Sequence, residues 1–150
     1  SMPELYAKVT AMQTEYYTLR GEIAAIGRQT DDLKTRLSMW KQYSENRAFR
    51  QRLTALKPRA REKFQDAHQT ELLLYDAAAR YLDGLKASGE QSTPKEWRAE
   101  TERLTARERA LYQQMKAMRA DIQAVEKIRK TADELARSEK HRDREQEPER

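Results

Sequence analysis

Two histidines, a pair of adjacent tyrosines and a run of arginines are where this 150-residue chain offers side chains suited to chemistry. His68 and Glu71 stand three apart, so on a helix they share a face, and such a pair is half of a helical metal site. A complete site needs several ligands to converge, and His141 lies far down the chain. The pair therefore reads as a surface contact one helical turn apart, and no metal site is expected. Tyr16-Tyr17 has the form of a double nucleophile for DNA strand transfer, a reaction that also needs a metal held by clustered histidines. Tyr16 falls on an apolar stripe, so packing is its simpler role. No Gly-rich phosphate loop, nucleophile elbow or Ser/His/Asp set is present. Neither a catalytic centre nor a cofactor is expected.

Charge is distributed more tellingly. Between Glu45 and Lys63 lie Arg47, Arg50, Arg52, Lys57, Arg59, Arg61 and Lys63, seven cations against the two carboxylates Glu45 and Glu62. That excess equals the net charge of the whole chain, +5. The following stretch, Phe64 to Pro94, is acidic, with Asp66, Glu71, Asp76, Asp83 and Glu90 against Arg80 and Lys86. Two readings stand side by side. Arg47, Arg50, Arg52, Arg59, Arg61 and Lys63 could grip DNA phosphates, without sequence preference and with strong salt dependence. Alternatively, they form a solvated surface that answers the acid-rich helix after them.

The elements that carry these residues are helices. Charged residues make up 37% and hydrophobic residues 37%, with only 4 Gly and 4 Pro, a composition that suits long helices and is too thin in apolar groups for a round core. The predicted fold class is all-α: three long helices, over about 4–57, 58–86 and 94–138, in an elongated coiled-coil-type bundle or helical hairpin. They form one module over residues 3–138, followed by a disordered charged tail over 139–150. In the first helix Leu5, Val9, Met12, Tyr16, Leu19, Ile23, Ile26, Thr30, Leu33, Leu37 and Trp40 follow unbroken 4-3 spacing, the a/d seam of a coiled coil. Gly21 and Gly27 lie off it.

Pro58 ends that helix in a turn or a kink, since proline lacks an N–H and disfavours the α conformation before it. The second helix presents Phe64, Leu72, Tyr75, Ala78, Leu82 and Leu85, and the apolar run Leu72 to Tyr75 should lie between two neighbours. A loop runs from Gly84 to Pro94. Thr93, Pro94 and Glu96 then spell an N-cap, a first-turn proline and a capping box. The third helix keeps the 4-3 spacing from Trp97 to Val125 with Glu108 as its one charged interruption, and after a small slip Ile128, Ala132 and Leu135 continue it. If Pro58 is a tight turn, the helices run up, down and up. If it is a kink, the second and third helices pair and the first needs a partner. Either way the short second helix leaves seam uncovered, and homodimerisation through the seam Leu5 to Leu37 is the candidate.

The absence of cysteine suits a reducing cytoplasm, and no run of about 18 apolar residues could insert in a membrane. Ser1-Met2 reads as a tag remnant and a start, so residue 3 is expected to be internal to a longer natural protein.

Arg61 to Leu82, with Phe64, His68, Glu71, Leu72, Ala78, Ala79, Tyr81 and Leu82, resembles the helical region downstream of the nuclease domain in relaxases of mobilisable and conjugative elements. Thr93 to Lys130 resembles the same region through Trp97, Leu104, Thr105, Ala106, Leu111, Tyr112 and the closing run Val125 to Lys130. The heptad helix ending at Trp40 to Tyr43 is similar too. The resemblance implies a bacterial cytoplasmic protein of DNA mobilisation, in which a separate domain nicks the transfer origin. None of the nuclease motifs is in this chain. What it implies here is a non-catalytic accessory region that contacts DNA, dimerises or docks to the conjugation machinery. The alternative is a purely structural coiled coil, a dimerisation or spacer module with no DNA role.

Overall fold

The computed structural model describes residues 1–146, and every regular element among them is an α-helix. There are four: α1 Met2–Ala55, α2 Pro58–Ala67, α3 Gln69–Ala87 and α4 Pro94–Gln146. The all-α class stands, but the expected three helices become four, because His68 breaks the second. Its backbone leaves the helical region (φ −125°, ψ 31°), while its N–H still donates to the Phe64 carbonyl at 3.0 Å and its carbonyl accepts from Leu72 N–H at 3.1 Å. The break puts the imidazole against Phe49 of α1 and Phe64 of α2, ring centroids 4.9 and 4.5 Å away. No Pro or Gly marks it in the sequence. At the other end α4 runs through Gln146, eight residues past the expected end at 138, with an i, i+4 pair between His141 Nε2 and Glu145 Oε1 at 2.9 Å. Residues 147–150 of the expected disordered tail lie outside the described residues.

The chain divides into two compact units. The first joins Ser1–Ile26 to the chain from Arg107 onward. Its helices are antiparallel: Tyr6 Oη donates to Asp133 at 3.5 Å, Gln13 Nε2 to Glu126 at 3.3 Å and Arg119 Nη2 to Tyr16 Oη at 2.6 Å. Val9, Leu19, Ile23 and Ile26 are buried against this partner, and Leu111 of α4 is 1% exposed. Leu5, Met12 and Tyr16 are half-buried, as are Met115, Met118, Ile122 and Val125. Burying one such aliphatic side chain contributes about 1.5–3 kcal/mol, so the seam holds the pair together. This half of the seam is thus filled by α4 of the same chain, and a dimer through it would have to displace α4.

Beyond Val125 the expected slip does not occur. Ile128 and Leu135 are 56% and 61% exposed, whereas Arg129 and Ala132 keep the unbroken spacing and are half-buried. Arg129 fits an apolar position because its guanidinium lies over the Tyr6 ring, 5.2 Å from the centroid.

The second unit spans Gly27–Ala106. As α1 rises from Tyr43 to Phe49, its partner falls from Tyr75 in α3 back to His68 just before that helix, so α1 and α3 run antiparallel. Pro58 therefore sits at a turn. The core takes Leu33 and Leu53 from α1, Leu72 and Ala78 from α3, and Trp97 and Leu104 from α4. Two polar residues are buried with them and satisfied locally: Thr30 Oγ1 donates to Gly27 O at 3.0 Å, and Asn46 Nδ2 to Gln42 O at 2.8 Å. The Leu72 to Tyr75 turn is not covered all round, since Leu73 is 61% and Leu74 39% exposed.

The α3–α4 link is fixed by local chemistry at both ends. Gly89 takes φ +91°, where Ala would be strained. Its N–H donates to Lys86 O at 3.0 Å and that of Glu90 to Leu85 O at 3.1 Å, closing a Schellman motif. At the start of α4 the expected capping box forms. Glu96 N–H donates to Thr93 Oγ1 at 3.3 Å, and Thr93 N–H to Glu96 Oε2 at 3.2 Å.

Candidate nucleic-acid interface

The basic stretch lies at the corner where α1 turns into α2. Leu56 N–H reaches Arg52 O at 3.1 Å and Leu53 O at 3.2 Å, which tightens the last turn of α1. Lys57 is extended (φ −65°, ψ 152°), as the residue before proline must be, and Pro58 starts α2. Arg61 Nε donates to the Leu56 carbonyl at 2.9 Å, so a side chain of α2 caps the end of α1.

The six residues singled out for phosphate contact divide into two groups. Three have work inside the fold: Arg50 is paired with Asp76 of α3, the Arg52 guanidinium lies 5.4 Å from the Phe64 centroid, and Arg61 caps Leu56. Arg47, Arg59 and Lys63 are exposed, as is Lys57, and none of these four makes an ion pair among the described residues. Arg50 thus answers the acidic helix, while Arg47, Lys57, Arg59 and Lys63 face solvent.

One turn before Arg47, and well short of the corner, α1 carries rings that share a groove with Arg47. Trp40 stacks on Tyr43 with centroids 5.7 Å apart, and Tyr43 on Tyr75 of α3 at 5.1 Å. Burial first, and then the neighbouring Tyr43 hydroxyl, raise the Tyr75 phenol above its ordinary pKa of 10.0. Beside the column is a groove of about 620 Å³, lined among others by Trp40, Tyr43, Arg47, Lys86 and Trp97. The Trp97 indole N–H is spoken for, donating to Ser92 Oγ at 2.6 Å. Glu90, at the groove edge, is held below the usual carboxylate range by hydrogen bonds from Ser92 and by Arg36, whose guanidinium approaches it to 3.1 Å. This gathering of rings was not singled out from the sequence, although the i, i+3 spacing of Trp40 and Tyr43 carried the signal.

The other candidates stay apart. His68 Nδ1 is 3.9 Å from Glu71 Oε1, and among the described residues no third His, Cys, Asp or Glu joins them in a metal-sized cluster. Tyr17 is 64% exposed and meets Tyr16 edge-on, centroids 5.8 Å apart, with Tyr16 bound to Arg119. No described helix is long and apolar enough to cross a membrane.

No family model, curated protein or solved structure matches the chain.

Proposed function

We propose that this chain is a non-catalytic helical accessory region of a relaxase-type mobilisation protein, serving conjugative DNA transfer by holding the DNA backbone. The observation that carries the DNA contact is the set of exposed cations Arg47, Lys57, Arg59 and Lys63, without an ion pair among the described residues, in a stretch that accounts for the whole net charge. The relaxase assignment rests on the resemblance of Arg61–Leu82 and Thr93–Lys130, and docking to transfer proteins belongs to the same reading. Phosphate contacts of this kind release counterions, so affinity falls steeply with salt and hardly varies with sequence.

The test is fluorescence anisotropy with duplex DNA at two salt concentrations. Arg47→Gln/Arg59→Gln/Lys63→Gln should weaken binding at least tenfold at low salt and flatten the log–log salt slope by about two to three, near 0.9 for each cation removed. Equal affinity of variant and parent would sink the reading.

A second reading, a purely structural coiled coil without DNA, is favoured as a spacer by the 4-3 stripe from Leu5 to Ile26 that meets Leu111 to Val125, whereas its dimerising form would have to use another face. It expects a flat titration with every DNA.

A further inference from the structure

Trp40 occupies the eleventh position of the α1 seam, yet 36% of its surface is open, whereas Leu33, two seam positions earlier, is 8% exposed. It is the outer member of the column Trp40–Tyr43–Tyr75, whose rings are tilted by only 27° and 22°. The indole also divides two depressions. One holds Arg47 and Lys86, the other Lys41 and Arg98. Arg47, Lys86 and Arg98 make no ion pair among the described residues. The carboxylates nearby are mostly engaged: Glu90 by Arg36, and Glu45 by Lys41 at 3.9 Å, which leaves Asp83. An exposed indole flanked by Arg47, Lys86 and Arg98, which are without an ion pair among the described residues, suits a flat uncharged ring joined to negative phosphates.

We infer that Trp40 is a stacking platform for a base of single-stranded DNA, with Arg47, Lys86 and Arg98 meeting the phosphates on either side. This rests on the DNA reading above and makes it specific for single strands. Bases in a duplex are already stacked on each other and cannot reach the indole, whereas an unpaired base adds one more ring to the column. Stacking on an aromatic side chain tolerates any base, which agrees with a site that has no groove-reading motif.

The full chain is titrated with a thymidine dodecamer, an abasic dodecamer of the same phosphate count and a duplex of the same length, following anisotropy and tryptophan emission. Trp40→Phe leaves Trp97, the other of the two tryptophans, as the sole emitter and so separates its signal from that of Trp40. The thymidine strand should bind about tenfold more tightly than the abasic strand and quench the emission. Trp40→Ala should abolish that preference, and Trp40→Phe should keep most of it. Equal affinity for the thymidine and abasic strands overturns the platform, as does a preference that survives Trp40→Ala. Should Trp40→Ala fail to fold, the parent and Trp40→Phe titrations decide alone. Salt-sensitive binding to the duplex with no thymidine preference overturns the platform and leaves the basic corner standing. No binding to any of the three overturns both.

Discussion

Arg50 of α1 and Asp76 of α3 form an ion pair across the antiparallel helices of the second unit, with 32% and 44% of their side chains exposed. This pair takes one of the six candidate cations away from solvent and assigns it to the fold. Arg50 and Arg47 lie less than one helical turn apart in sequence, yet one faces an acidic partner and the other the aromatic groove.

Opposite behaviour of these two arginines follows. Arg50→Gln should lower the thermal midpoint by about 2–4 °C, since a partly exposed pair contributes at most about 1 kcal/mol. Duplex affinity should change less than twofold. Arg47→Gln should leave the midpoint within about 1 °C and weaken binding several-fold. Circular dichroism melts and anisotropy on the two variants check both halves, and a reversed pattern would reassign the residues.

Two glycines interrupt the interior of α1. A Cβ built at Gly21 or Gly27 meets nothing within 4 Å, and neither has positive φ. Ala at such a site narrows the unfolded ensemble and favours the helix, so Gly21→Ala and Gly27→Ala should each stabilise by about 1 kcal/mol. The same change at Gly89 should destabilise, because φ there is +91°. Urea midpoints of the three variants give the sign directly.

Acid should loosen the α3–α4 link. The Glu90 carboxyl is held below its ordinary pKa of 4.5, first by the Ser92 hydroxyl, then by the Ser92 backbone N–H and by Arg36. A depressed folded value means the stabilisation is fully present above about pH 4.5 and is lost as pH falls through the lowered value. Glu90→Gln should therefore show a smaller loss of thermal midpoint between pH 6 and pH 3 than the parent. Parallel curves would show that the contact has no linkage to stability.

Local pattern alone was enough for several features, because each depends on residues within one or two turns. The 4-3 spacing marked Val9, Leu19, Ile23 and Ile26 for burial whatever covers them. Lys57-Pro58 marked the end of α1, and Thr93 with Glu96 marked the start of α4. The basic stretch was visible as a charge count, although not which cations stay free.

Contacts between residues far apart in the chain settled the rest. Whether Pro58 is a turn or a kink depends on whether α3 folds back onto α1, and Tyr43 against Tyr75 answers it. The break at His68 needs Phe49, nineteen positions earlier, to receive the ring. Arg129 takes a seam position over Ile128 because Tyr6, at the other end of the chain, receives its guanidinium. Trp40 had the spacing of a core residue and stands open because its neighbours leave a groove beside it. A periodic stripe states that a face will be covered. Which helix covers it, and where the cover stops, is set by packing between segments that no local pattern connects.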